Sequence, residues 1–320
     1  MEDRMRLFGP VWGASGVQGF FGEGYWFHRL PWPFGSPSFD GCTFVAKTTT
    51  LEYRAGNTPL TTDCITPRDW FPRSVKVYLL QGSMLNSWGL SGPGAAWLFG
   101  SERWQTRTEP FMLSVMSVRD TEHARLCELE SFVRMLGRHL PNFKAPIGLQ
   151  INLSCPNVGL NPQALIGEAL SALDIAGVLG VPLVPKINVL VPPEVVAGVA
   201  AHEHCAAICT SNTVPWGARS DVIPWEKFSA NDESPLKELG GGGLSGKYLL
   251  RLVVEHVRGI RALCPNLHIN ACGGIMDAQH VNRVVAAGAS SISIGSVATL
   301  RPWRMRRIIA RAYELLGDRD

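Results

Sequence analysis

The sequence predicts an α/β chain closed into a (β/α)8 barrel of the TIM type, and three observations carry that expectation. Short β-favouring runs alternate with segments of helical periodicity from Thr43 to the C-terminus, and strands separated by such crossovers pair in parallel. Seven runs of this kind, with 11–15 as an eighth, favour closure over an open doubly wound sheet. The residues at the carboxyl ends of those runs are also biased, with Lys and Asn recurring where ordinary turn residues would be expected.

In chain order, strands are expected over 43–47, 111–115, 148–153, 183–187, 206–210, 268–271 and 290–294, and helices over 119–140, 162–177, 192–202, 246–263, 278–287 and 302–316. The segment 1–40 is an irregular cover: it carries Trp12, Trp26 and Trp32 with four prolines after Gly9, too apolar for a disordered tail and too broken for a long helix. Within it, Gly13-Ala14-Ser15-Gly16 is a small-residue turn that either lets a ligand approach the backbone or is a turn and nothing more. Two connections, 48–109 and 214–243, are longer than a barrel needs. Both follow strands with polar ends, so both are expected over the catalytic mouth. No internal repeat divides the chain, and 1–320 reads as a single domain.

Composition narrows the function classes. With 46% hydrophobic and 18% charged residues the chain is expected to bury a sizeable core, and a net charge of +3 gives no warrant for a nucleic-acid or membrane-surface partner. Apolar runs break well before about 18 residues, so no membrane span is expected. The N-terminus leads into Gly, Pro and Trp and not into an apolar signal core, which points to the cytoplasm. The eight cysteines include no C-x-x-C pair, so free thiols are expected in place of a zinc or iron–sulfur site.

The chemistry gathers around Asn152-Leu153-Ser154-Cys155-Pro156-Asn157, where a buried strand leaves the sheet. Two carboxamides flank a thiol there; an amide offers both donors and an acceptor to a flat ring with N–H and C=O edges. Cys155 reads equally as a nucleophile or base and as a small buried hydrophobe. Other strand ends supply Ser15, Lys47 with Thr48, Ser114, Lys186, and Ser211 with Asn212 and Thr213. Buried lysines need partners, which for Lys47 and Lys186 means an electron-accepting ligand or an unseen carboxylate. Gly273-Gly274 and Gly295-Ser296 follow the last two strands, where barrels commonly hold a phosphate on backbone N–H groups, although either could be an ordinary turn. Gly243-Leu244-Ser245-Gly246 is expected to add amides before a helix.

Taken together and in order, these motifs resemble the dihydroorotate dehydrogenase family of flavin barrels. The matching stretches are Ala14-Ser15-Gly16, Lys47 to Glu52 with Gly56-Asn57, Asn86-Ser87-Trp88-Gly89-Leu90, Asn152 to Asn157, Lys186, Asn212-Thr213, Gly243 to Gly246, Gly273-Gly274-Ile275 and Gly295-Ser296. The resemblance implies FMN held by Ser15, Lys47, Thr48, Ser114, Asn152, Lys186, Ser211, Gly246, Gly273, Gly274, Gly295 and Ser296. It implies a dihydroorotate pocket of Lys47, Asn86, Trp88, Gly89, Leu90, Asn152, Asn157, Asn212 and Thr213, with Cys155 and Lys47 catalytic and no metal. Cys155 matches the base of the soluble class 1 branch; the quinone-using branch carries Ser there.

The sequence departs from the family after Leu90, where Ser91-Gly92-Pro93-Gly94 lacks the usual carboxamide, and the aromatic cover has no clear counterpart. A related FMN oxidoreductase acting on another pyrimidine or enone therefore stands as the alternative, with a catalytically silent phosphate-binding barrel behind it. The resemblance implies a second copy of the chain or a separate iron–sulfur flavoprotein subunit as partner. The latter would be needed for electron transfer to NAD, because the chain has no nicotinamide fingerprint of its own.

Overall fold

The structure, a computed structural model, describes residues 2–30, 37–153 and 162–317. Its strands are β1 (Val11–Gly13), β2 (Phe44–Val45), β3 (Val75–Tyr78), β4 (Ser83–Asn86), β5 (Phe111–Val115), β6 (Ile147–Asn152), β7 (Leu183–Ile187), β8 (Ile208–Thr210), β9 (Val214–Pro215), β10 (Gly243–Gly246), β11 (Ile269–Cys272) and β12 (Ser291–Ile294). The helices are α1 (Glu2–Arg6), α2 (Ala95–Gly100), α3 (Glu122–His139), α4 (Pro162–Gly177), α5 (Pro193–Ala200), α6 (Leu249–Leu263), α7 (Ala278–Ala286), α8 (Ser296–Leu300) and α9 (Met305–Leu316).

Eight strands pair in parallel in the order β1-β12-β11-β8-β7-β6-β5-β2. A parallel bridge between Trp12 and Thr43, carried by Gly13 N–H to Thr43 O at 2.9 Å and Thr43 N–H to Val11 O at 2.8 Å, joins the two ends into a ring. This is the expected barrel. Alternation along each strand sorts side chains between lumen and helices: Phe111, Leu113, Leu149, Ile151, Leu183 and Ile208 join the main core with the helical faces. The lumen face begins with Trp12, Val45, Met112 and Val184, which with Met5 and Phe8 form a separate buried cluster. Two residues further along the same strands the lumen carries Lys47, Ser114 and Lys186, so the barrel interior turns polar toward its carboxyl end.

The two long connections are ordered in a way that local sequence does not show. Within 48–109 lie the hairpin β3-β4 and α2; β9 and β10 lie at the two ends of the second insert. They pair as one antiparallel sheet, β3-β4-β10-β9, so the inserts meet each other as well as the barrel. The stretch Gly243 to Gly246, expected to add amides ahead of a helix, forms β10 of this sheet. It is a strand, with Gly243 opposite Asn86 and Gly246 opposite Ser83, because its partners lie about 160 residues away in the chain.

Candidate active site

At the carboxyl end of the barrel the strand ends and both inserts enclose a cavity of about 1660 Å³. Its walls include Ser15, Lys47, Thr48, Asn86, Trp88, Gly89, Leu90, Asn152, Lys186, Ser211, Asn212, Thr213, Gly273, Gly274, Gly295 and Ser296, so most of the residues expected from sequence converge on one volume. Ser114 lies just behind the wall, buried, with its hydroxyl 3.0 Å from that of Thr48. Gly246 is turned into the inter-insert sheet, where a Cβ would sit 2.4 Å from Gly82 O. Cys155 and Asn157 lie outside the described residues.

Three hydroxyls form a one-way chain. Ser15 donates to Ala46 O at 2.8 Å, which leaves its oxygen to accept from Thr48 at 3.0 Å, and Thr48 in turn accepts from Ser114. The strand ends of β1, β2 and β5 are thereby tied at one height.

Lys47 and Lys186 have different surroundings. Lys47 is buried, donates to Ser91 O at 2.8 Å and lies over the rings of Trp88 and Phe20. Burial lowers its pKa to about 8, against the pull of Glu23. Lys186 is also buried and lines the cavity, and among the described residues no carboxylate forms an ion pair with it.

The carboxamides are fixed relative to one another. Asn212 Nδ2 donates to Asn152 Oδ1 at 3.2 Å, while Asn212 Oδ1 accepts the Thr213 N–H at 2.9 Å, so the Asn212 amide cannot flip without losing both. Ser211 Oγ donates to Asn212 O and accepts the Val189 N–H at 3.2 Å. Sequence reasoning missed Asn188, which lines the cavity and donates to Thr213 O at 2.8 Å. Its place two residues after Lys186, on the same face of an extended chain, was the available signal. Arg54, Tyr25, Trp70 and Phe71 also line the cavity and were likewise missed, because they come from the inserts and the N-terminal cover.

The donor set suits a flavin mononucleotide. Lys186, which has no carboxylate ion pair among the described residues, would set positive charge beside an electron-accepting ring; the hydroxyl oxygens of Ser15, Thr48 and Ser211, their protons given to protein partners, could accept from a polyol chain, and the turns at Gly273-Gly274 and Gly295-Ser296 could present backbone to a phosphate. Gly274, at φ +77°, is required there: a Cβ would fall 2.2 Å from Leu250 N at the start of α6. Among the described residues no group of His, Cys, Asp or Glu could hold a metal, and the seven described cysteines are free. No helix among them is long and apolar enough to cross a membrane.

Comparison with known proteins adds a family likeness. The family model for dihydroorotate dehydrogenase matches residues 8–316. The chain is 29% identical to the catalytic subunit of dihydroorotate dehydrogenase B (NAD(+)) of Anoxybacillus flavithermus, over 98% of this chain and 89% of that one. It is 26% identical to the corresponding subunit of Latilactobacillus sakei, over 99% and 92%. A fumarate-type A homologue of Pediococcus pentosaceus is 28% identical over 79% and 75%. Among solved structures, DHODH of Eimeria tenella in complex with ferulenol superposes with a TM-score of 0.65 at 20% identity, covering 95% of this chain and 80% of that one, which supports the barrel fold.

Proposed function

The chain belongs to the dihydroorotate dehydrogenase family of flavin-dependent oxidoreductases, and from that premise we propose that it binds FMN and oxidises dihydroorotate to orotate in pyrimidine biosynthesis. The observation that carries this reading is the convergence of Lys47, Asn86, Asn152, Lys186 and Asn212 on one cavity beside the glycine turns. FMN, when bound, supplies the acceptor for the hydride that leaves one ring carbon.

The protein's own part is to hold the ring and take the proton. Asn86, Asn152 and Asn212 present donors and acceptors to the uncharged edges of a dihydropyrimidine, and the fixed sense of the Asn212–Asn152 bond sets which edge each one meets. Lys47, with the Trp88 to Leu90 backbone, faces the substrate carboxylate. Cys155 is assigned from its place in the sequence as the base removing the ring proton; an ordinary thiol pKa of about 8.5 is near enough to neutrality for that task. Lys186 holds the cofactor side of the cavity.

The relatives of the B type are named as catalytic subunits, and electrons in this reading pass to NAD through a separate partner subunit. The fumarate-type relative marks the competing acceptor. A second substrate reading, another pyrimidine or an enone, draws on Trp70, Phe71 and Val77 in the outer wall, which widen the cavity beyond the strand ends. Anaerobic titration decides: dihydroorotate should bleach a yellow protein, and reoxidation should follow the acceptor, fumarate or NAD with a partner fraction. A protein that cannot be loaded with FMN, or whose flavin dihydroorotate leaves oxidised, would end the reading.

A further inference from the structure

The N-terminal segment does more than cover the barrel. Glu23 accepts the N–H groups of Phe20 at 2.9 Å and Phe21 at 2.7 Å, folding 19–24 into a tight loop that sets the Phe20 ring 4.9 Å from Lys47 Nζ. Tyr25 follows. Its hydroxyl donates to Gly16 O at 2.8 Å, and its ring lies 6.0 Å from that of Trp88. Phe27 stacks on the Tyr25 ring at 5.5 Å, and the Tyr25 N–H is bonded to His28 Nδ1.

Tyr25 thus touches two parts of the site that share no strand: the turn at 14–16, on the cofactor side, and Trp88 in the substrate loop. The turn also lies against Lys47, since Gly16, at φ +85°, leaves only 3.3 Å between a Cβ position and Lys47 Cγ. We propose that Tyr25 is a positioning residue that sets the spacing between the cofactor turn at Gly16 and the substrate loop at Trp88, making the aromatic N-terminal segment a built wall of the active site. Two contacts with different chemistry divide the work. The hydroxyl fixes the turn, and the ring fixes Trp88 and, through it, the cation of Lys47, which lies 4.6 Å from the Trp88 ring. Burial, with Glu23 nearby, holds the hydroxyl well above the usual phenol range, so it stays a donor at every working pH.

The inference rests on the flavin and dihydroorotate reading, and its test separates the two. Tyr25→Phe keeps the ring and loses the hydroxyl; Tyr25→Leu loses both. FMN affinity is read by fluorescence quenching as apoprotein rebinds FMN, and kcat and KM for dihydroorotate are read separately. Tyr25→Phe should weaken FMN binding by about 2- to 10-fold, as expected for one net hydrogen bond, with KM little changed. Tyr25→Leu should also raise KM about 10-fold, with kcat moving less. Wild-type FMN affinity in Tyr25→Phe overturns the role of the hydroxyl, and wild-type KM in a folded Tyr25→Leu overturns that of the ring. Wild-type protein that binds no FMN overturns the reading of the site and this inference with it.

Discussion

The ammonium of Lys47 lies 4.6 Å from the centre of the Trp88 ring and donates to Ser91 O at 2.8 Å. The aromatic face and the carbonyl hold the cation in a buried place where it would otherwise be poorly solvated. Burial still dominates, lowering its pKa to about 8 from an unperturbed value of about 10.4. Because the folded value lies below the unfolded one, the cost to folding is full below about pH 8 and fades as the pH rises toward about 10.4. The ligand sees the opposite sign: the charge is lost as pH rises through about 8. KM for an anionic substrate should therefore climb above pH 8, and Lys47→Met should raise KM at neutral pH and flatten that limb. A wild-type KM constant from pH 7 to 9.5 would count against it.

Arg125 and Glu168 form the buried ion pair that joins α3 to α4. Nε and Nη2 of Arg125 reach the two carboxylate oxygens at 2.7 and 2.6 Å, while Nη1 donates to the carbonyls of Arg119 and Asp120. With the two side chains only 7% and 12% exposed, removing Glu168 takes the opposite charge away from a buried guanidinium. Glu168→Ala should cost about 3–5 kcal/mol of stability, read by urea denaturation, with FMN affinity unchanged in the folded protein.

Gly274→Ala tests the glycine turn. The positive φ and the 2.2 Å approach to Leu250 N leave no room for a methyl group without moving the turn off α6. Strain of about 1–3 kcal/mol should appear as weaker FMN retention on gel filtration, accompanied by a lower melting temperature. Lys186→Ala should also release FMN more readily, but without that loss of melting temperature in the apoprotein.

Cys155→Ala should retain FMN and slow its reduction by dihydroorotate by about two orders of magnitude, the usual loss for a general base. Stopped-flow absorbance under anaerobic conditions reads this directly, and unchanged kinetics would remove Cys155 from the chemistry.

How far the sequence foretold all this depends on whether the information was local. The strands Phe111–Val115 and Leu183–Ile187 and the helix Pro162–Gly177 match their expected bounds, because each is a run bounded by its own turn or proline signals. Lys47 and Lys186 were legible for a similar reason: a lysine ending an apolar run has few bland explanations. The hairpin β3-β4 and the strand β10 were not foreseen. Val75–Tyr78 is half exposed and only four residues long, and Gly243–Gly246 has a turn's composition. Both become strands through β4, which lies between them and pairs with each. Tyr25 and Asn188 escaped notice because neither sits in a motif; their roles arise from the carbonyls of Gly16 and Thr213, which the fold brings to them.

The shared sheet of the two inserts limits how such an enzyme can be remodelled. Since β4 of the first insert and β10 of the second complete one another's backbone pairing, trimming either would leave its neighbour with an open edge beside the cavity. A chimera that exchanges one insert with a relative should misfold at the mouth, whereas one that exchanges both should fold. The shape of the cavity mouth is therefore a joint property of two stretches far apart in the chain.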